Sequence, residues 1–140
     1  MSRIFWDTNL FIYLIEGREE LHDLVRGLLE RMRERRDELL TSTLTLGEVL
    51  VKPLEQGPET ARRYERFFDA PGVQLVAFDR EAARRYAAIR LDRSIRAPDA
   101  IQLSCAAAAR TNLFLTNDDR LSRNVVPGID FIAPVARALI

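Results

Sequence analysis

One histidine, one cysteine and one lysine stand in this chain of 140 residues. With His22 alone, a serine or cysteine nucleophile has a single base to draw on. His22 falls in a polar run, Glu19-Glu20-Leu21-His22-Asp23, with no Ser or Cys beside it. Ser-His-Asp and Cys-His catalysis are set aside unless His22 is that base, and histidine-rich zinc sites are excluded. Cys105 alone forms no intrachain disulfide, so nothing calls for an oxidising compartment. No charged segment followed by an apolar run opens the sequence, and no apolar run reaches membrane-spanning length. The expectation is a soluble cytoplasmic protein. Net charge is lacking too: 21 basic residues face 21 acidic ones, so no global field draws the chain to nucleic acid or membrane, and any basic surface is local. Lys52 is the only lysine, so 20 of the 21 basic residues are arginine. Arginine suits bidentate phosphate contacts, but an Arg-rich proteome produces the same bias.

What is present is enough for a core. Apolar residues make up 47% of the chain, and its length suits one domain spanning residues 1–140. Ile4-Phe5-Trp6 reads as a short buried strand. Leu10 to Ile15 reads as a helix that Gly17 stops. Glu20 to Arg36 has helical periodicity, with Leu21, Leu24, Val25, Leu28, Leu29 and Met32 on one stripe. That stripe reads as core packing first, and Leu21, Leu24, Leu28 and Met32 otherwise as part of a groove for a partner helix. Leu39 to Thr41 is a second strand and Leu46 to Leu54 a helix, with Pro53 in its last turn. Pro58 opens a helix over Glu59 to Phe68. Val73 to Phe78 is a third strand, and Asp79 caps a helix reaching about Leu91. Pro98 opens a small-residue helix through Ala109. Leu113 to Leu115 and Ile129 to Ile132 are the last strands. Alternating strands and helices predict an α/β sandwich around a central, mostly parallel five-stranded sheet.

Four carboxylates fall at the junctions of these elements. Asp7 follows the first strand, Glu48 lies in the first turns of a helix, Asp99 follows Pro98, and Asp118 follows Leu113-Phe114-Leu115. Each has a plain local reading. Asp7 caps a helix, and Thr45-Leu46-Gly47-Glu48 matches a capping box. Asp99 favours a helix dipole, and Thr116-Asn117-Asp118-Asp119 is a turn. None of those readings requires all four acids to share one edge of one sheet. In an open parallel sheet the strand ends do share an edge, where ligands bind. Acids meeting there repel one another, and a hard divalent cation relieves that repulsion.

The ordered set is similar to a known family. Asp7-Thr8-Asn9, Thr43-Leu44-Thr45-Leu46-Gly47-Glu48-Val49-Leu50, Ala97-Pro98-Asp99-Ala100-Ile101-Gln102-Leu103 and Leu113-Phe114-Leu115-Thr116-Asn117-Asp118 resemble the PIN-domain nucleases. They resemble more closely the toxin subunits of VapBC-type toxin–antitoxin pairs. The likeness runs along the whole chain. It implies a PIN-like α/β/α fold and a Mg²⁺- or Mn²⁺-dependent ribonuclease. Asp7 and Asp99 would be the main ligands. Glu48 would bind a second ion or orient water, and Asp118 would complete the set. Asp118 is preferred over Asp119 because it lies two residues after Thr116. Asn9 and Thr116 would hold carboxylates or touch phosphate. The likeness further implies an RNA substrate, a VapB-type antitoxin whose C-terminal segment lies over the site, and a homodimer. Arg93, Arg96, Arg120 and Arg123 flank the acids and would meet phosphates; solvated loop arginines are the plain alternative.

Three other readings meet the same residues. Aspartyl-nucleophile phosphatases resemble Asp-x-Asp after the first strand, but here the third residue is Asn9. A receiver-type module needs a lysine near a late strand, and Lys52 is misplaced. A non-catalytic or regulatory interaction subunit whose acids act as helix caps remains the alternative, and it predicts that no divalent ion binds.

Overall fold

The computed structural model describes residues 1–17 and 19–138. Five strands form one sheet: β1 (Arg3–Trp6), β2 (Glu38–Ser42), β3 (Val73–Val76), β4 (Thr111–Thr116) and β5 (Ile129–Pro134). Their order is β3-β2-β1-β4-β5, and every neighbouring pair is parallel. Parallel pairing requires crossovers, which helices supply. These are α1 (Thr8–Glu16), α2 (Glu19–Arg35), α3 (Thr43–Glu55), α4 (Pro58–Glu65), α5 (Arg80–Ile89) and α6 (Ala97–Ala108).

Both faces of the sheet are covered, as expected of a parallel sheet with nearly continuous apolar strands. Side chains alternate along β1. Ile4 and Trp6 join the layer built with Leu10 and Phe11 of α1 and Val25, Leu28, Leu29 and Met32 of α2. Phe5 points the other way, to Ala82 of α5 and Ala100, Leu103 and Ala107 of α6. Phe5 also stacks on Phe114 of the paired strand β4, with ring centroids 5.2 Å apart. Val25, Leu28, Leu29 and Met32 of the α2 stripe are buried in the core, which corrects the partner-groove reading at Leu28 and Met32; Leu21 and Leu24 are half-buried.

Two local expectations need correcting. The helix that Pro58 opens ends at Glu65, and Arg66–Asp69 is 3₁₀. The tighter turn brings Phe67 and Phe68 onto Phe11, at 6.0 and 5.3 Å between ring centroids, so packing overrides the helical periodicity. The capping-box reading of Thr45 to Glu48 also fails. Helix α3 starts earlier, with Ser42 as its N-cap accepting from the Thr45 amide. Glu48 thereby lies in the second turn, released from any capping duty.

From β1 the chain steps outward through β2 to β3, then returns to lay β4 on the other side of β1. The crevice beyond the carboxyl ends of β1 and β4 is thus a topological switch point, where open α/β sheets bind ligands.

Candidate functional site

Asp7 stands at that point. Its amide donates to the Leu115 carbonyl at 2.9 Å, closing the β1–β4 ladder. Its carboxylate caps α1, accepting from the Thr8 amide at 2.8 Å, and accepts the Thr116 hydroxyl at 2.9 Å. The side chain is buried, and burial is the main cause that pushes its pKa from 3.8 up to about 6. The bonds from Thr116 and Thr8 oppose that rise. The negative charges of Asp99 and Glu48 add to it. Three of the four predicted acids thus act on one another in one place.

Glu48 projects from the exposed side of α3, and its Oε1 accepts the Thr8 hydroxyl at 2.8 Å. Asp99 lies in the first turn of α6, and Arg96, one turn earlier, approaches its Oδ2 with Nε at 3.5 Å. Asp118 joins through the end of β4. Its amide donates to Thr116 Oγ1 at 3.0 Å, the same atom that donates to Asp7. Arg120 folds back on Asp118, with its amide 3.0 Å from Oδ1 and its guanidinium 3.4 Å from Oδ2. That side-chain bond is the main cause holding Asp118 below the usual carboxylate range. Asp99 contributes to the field at Arg120 as well, which links the two acids.

The remaining expected residues divide. Thr116 is fully buried and touches both Asp7 and Asp118. Asn9 is exposed in the first turn of α1 and makes no bond to an acid among the described residues. Arg96 and Arg120 flank the acids as expected, each paired to one of them. Arg93 and Arg123 are exposed and contact none of the four acids.

A polar cluster beneath the acids was missed. Thr8, Thr45 and Gln102 meet from α1, α3 and α6, with Gln102 Nε2 at 2.9 Å from Thr8 Oγ1 and 2.8 Å from Thr45 Oγ1. The signal was available. Gln102 interrupts an otherwise small and apolar helix one turn after Asp99, and Thr45 lies one turn before Glu48. Residues three apart share a helix face.

No group of three or more His, Cys, Asp or Glu side chains is set at metal-ligand spacing among the described residues. The donor chemistry nevertheless suits a hard cation. All four candidates are carboxylates, and Asp7 carries a buried charge with like charges around it. Asp99 and Asp118 are partly engaged by exposed arginines.

The PIN domain family matches this chain over residues 4–126, and the chain belongs to that family, whose nucleases generally use divalent metals. No curated protein sequence matches it. Among solved structures it is similar to a chain of VapBC2 from Rickettsia felis bound to a promoter DNA fragment. That match has a TM-score of 0.72 and 17% identity, and covers 94% of this chain and 98% of the other. A chain of a toxin–antitoxin complex from Klebsiella pneumoniae gives 0.69 at 22% identity, covering 90% and 94% respectively. A chain of DNA-bound VapBC from Salmonella typhimurium gives 0.69 at 20% identity, covering 96% and 99%. At these identities the likeness is one of fold.

Proposed function

We propose that this chain is a divalent-metal-dependent endoribonuclease, the cytoplasmic toxin of a VapBC-type pair, silenced by a VapB-type antitoxin. The observation that carries the reading is the buried Asp7 carboxylate, raised to about 6 by burial and by the charges of Asp99 and Glu48. Burying one carboxylate near two others costs the fold stability, and a bound cation offsets that cost.

Asp7 and Asp99 would hold Mg²⁺ or Mn²⁺, with Glu48 and Asp118 completing the set. A bound ion supplies charge neutralisation for the scissile phosphate and acidifies the attacking water. The chain's own groups do the rest. Thr116 holds Asp7 and, through the Asp118 amide, the turn that carries Asp118. Thr8 holds Glu48, which orients water for attack. Arg96 and Arg120, on exposed arms beside Asp99 and Asp118, meet the flanking phosphates. No step needs a histidine. The helix-cap alternative accounts for Asp7 but leaves unexplained why Glu48 is aimed at Thr8.

Cleavage of single-stranded RNA by the purified protein with Mn²⁺, with EDTA, and in the Asp99→Asn variant tests the reading. Metal-dependent cleavage that Asp99→Asn abolishes supports it, and full activity in folded Asp99→Asn refutes the site. Expression alone should arrest growth, and co-expression of a partner encoded beside it should relieve the arrest. Light scattering should find a homodimer.

A further inference from the structure

Gln102 is buried, at 2% exposure, and its amide is used at three points. Oε1 accepts the Ser42 hydroxyl at 2.6 Å. Nε2 donates to Thr8 Oγ1 at 2.9 Å and to Thr45 Oγ1 at 2.8 Å. The neighbours fix which end of the amide is which. Ser42 Oγ accepts from the Thr45 amide at 3.2 Å and donates its own hydrogen to Gln102. Thr8 Oγ1 receives Gln102 and lies 3.0 Å from the Thr45 hydroxyl. Glu48 Oε1, 2.8 Å away, is a carboxylate oxygen that only accepts, so the single hydrogen of Thr8 goes there. Donation runs one way, from the end of β2 through α6 and α1 to a carboxylate on α3.

We infer that Gln102 is a positioning residue for Glu48. By donating to Thr8 it sets the Thr8 hydroxyl as the donor to Glu48, and so holds that exposed carboxylate beside Asp7 and Asp99. The three partners are side chains from β2, α1 and α3, and none of these bonds goes to backbone. A glutamine that merely fills space has no need to join the elements that carry Asp7 and Glu48 to the helix that carries Asp99. A fully satisfied buried network of this kind specifies one arrangement of its members. The inference rests on the reading of Glu48 as a metal-holding acid.

A thermodynamic cycle on Mn²⁺ affinity, read by titration calorimetry, tests it. Gln102→Met keeps length and volume but donates nothing, and Thr8→Val deletes the link to Glu48. Each should weaken Mn²⁺ binding about ten- to a hundred-fold, the range for residues that orient a metal's ligands. Thr8→Ser should restore most of the affinity. In a Glu48→Gln background, Gln102→Met should change affinity by less than about two-fold, because the group it acts through has lost its charge. Equal losses in both backgrounds would mean a purely structural role and overturn the inference. Should Gln102→Met fail to fold, Thr8→Val at its partly exposed position carries the same cycle.

A second readout needs no metal. In ¹H–¹⁵N spectra of the metal-free protein, the Gln102 side-chain amide pair should shift on Glu48→Gln, and an unmoved pair overturns the inference. A wild-type protein that binds no Mn²⁺ and leaves RNA intact would sink the nuclease reading alone, with the spectra still deciding the role of Gln102.

Discussion

Thr116 donates its hydroxyl hydrogen to Oδ2 of Asp7, 2.9 Å away and 109 positions earlier in the chain. The bond is made possible by the β1–β4 pairing, which sets Trp6 opposite Leu115 and brings the two strand ends level. Loss of that hydroxyl in Thr116→Val leaves an isosteric core but removes one of the two bonds that stabilise the ionised Asp7. Asp7 should then titrate above its present value of about 6, and metal affinity at neutral pH should fall several-fold. Carboxyl ¹³C NMR of Asp7 reads the first change and calorimetry the second.

Asp7 also predicts a pH dependence of stability. Its folded-state pKa of about 6 lies above the ordinary 3.8, so the folded protein holds this proton more tightly than the unfolded chain. The contribution to folding is fully present below about pH 4 and is lost as pH rises through about 6. At neutral pH the ionised form costs on the order of 3 kcal/mol. Asp7→Asn avoids that cost but loses the bond accepted from Thr116, worth about 1 kcal/mol. In EDTA the variant should therefore be more stable than wild type at pH 7, by roughly 2 kcal/mol, with the gap closing towards pH 4. Urea denaturation at several pH values checks this, and a gap that widens on acidification would contradict the burial argument.

Metal should reverse the ranking. An ion that binds only the native state stabilises it by mass action, by about 2.7 kcal/mol at 100 times its Kd. Mn²⁺ should raise the melting temperature of the wild type and leave Asp7→Asn unchanged. An equal rise in both proteins would place the binding elsewhere.

Arg120 offers a separable test of substrate contact. Its guanidinium lies against Asp118 but is otherwise open to solvent. Arg120→Ala should let the Asp118 pKa climb back towards the usual carboxylate range, since the side-chain bond is the main cause of its depression. The same change should raise KM for RNA with little effect on kcat, and the defect should shrink as salt screens phosphate contacts. A loss confined to kcat would instead make Arg120 part of the chemistry.

Two glycines should respond in opposite directions. Gly128 has φ +99°, and a Cβ there would lie 2.6 Å from the Ala107 carbonyl oxygen. Gly128→Ala should destabilise by roughly 2–4 kcal/mol from strain and clash together. Gly47, inside α3, has open space around its would-be Cβ. Gly47→Ala should stabilise by about 0.5–1 kcal/mol through helix propensity. Chemical denaturation of the two variants distinguishes them.

Local features determined much of this protein. The periodicity and breakers of the chain mark the five strands and six α-helices of the described residues, because amphipathic spacing, Gly17 at positive φ and the Asp79 cap act within a few residues. The same local reading puts Asp7, Asp99 and Asp118 at the junctions of strands and helices and Glu48 near the start of one. Only the tertiary structure decided which of them meet. Strand order is not written in periodicity, and the switch point between β1 and β4 is what joins Asp7 to Thr116. Nor does a helical stripe say where a buried glutamine finds its partners: Gln102 reaches Thr8 across 94 positions and Thr45 across 57. The capping-box motif misled for the same reason. Thr45 and Glu48 share a helix face, and with Ser42 as the cap both meet Thr8 of α1, while Thr45 also accepts from Gln102 of α6.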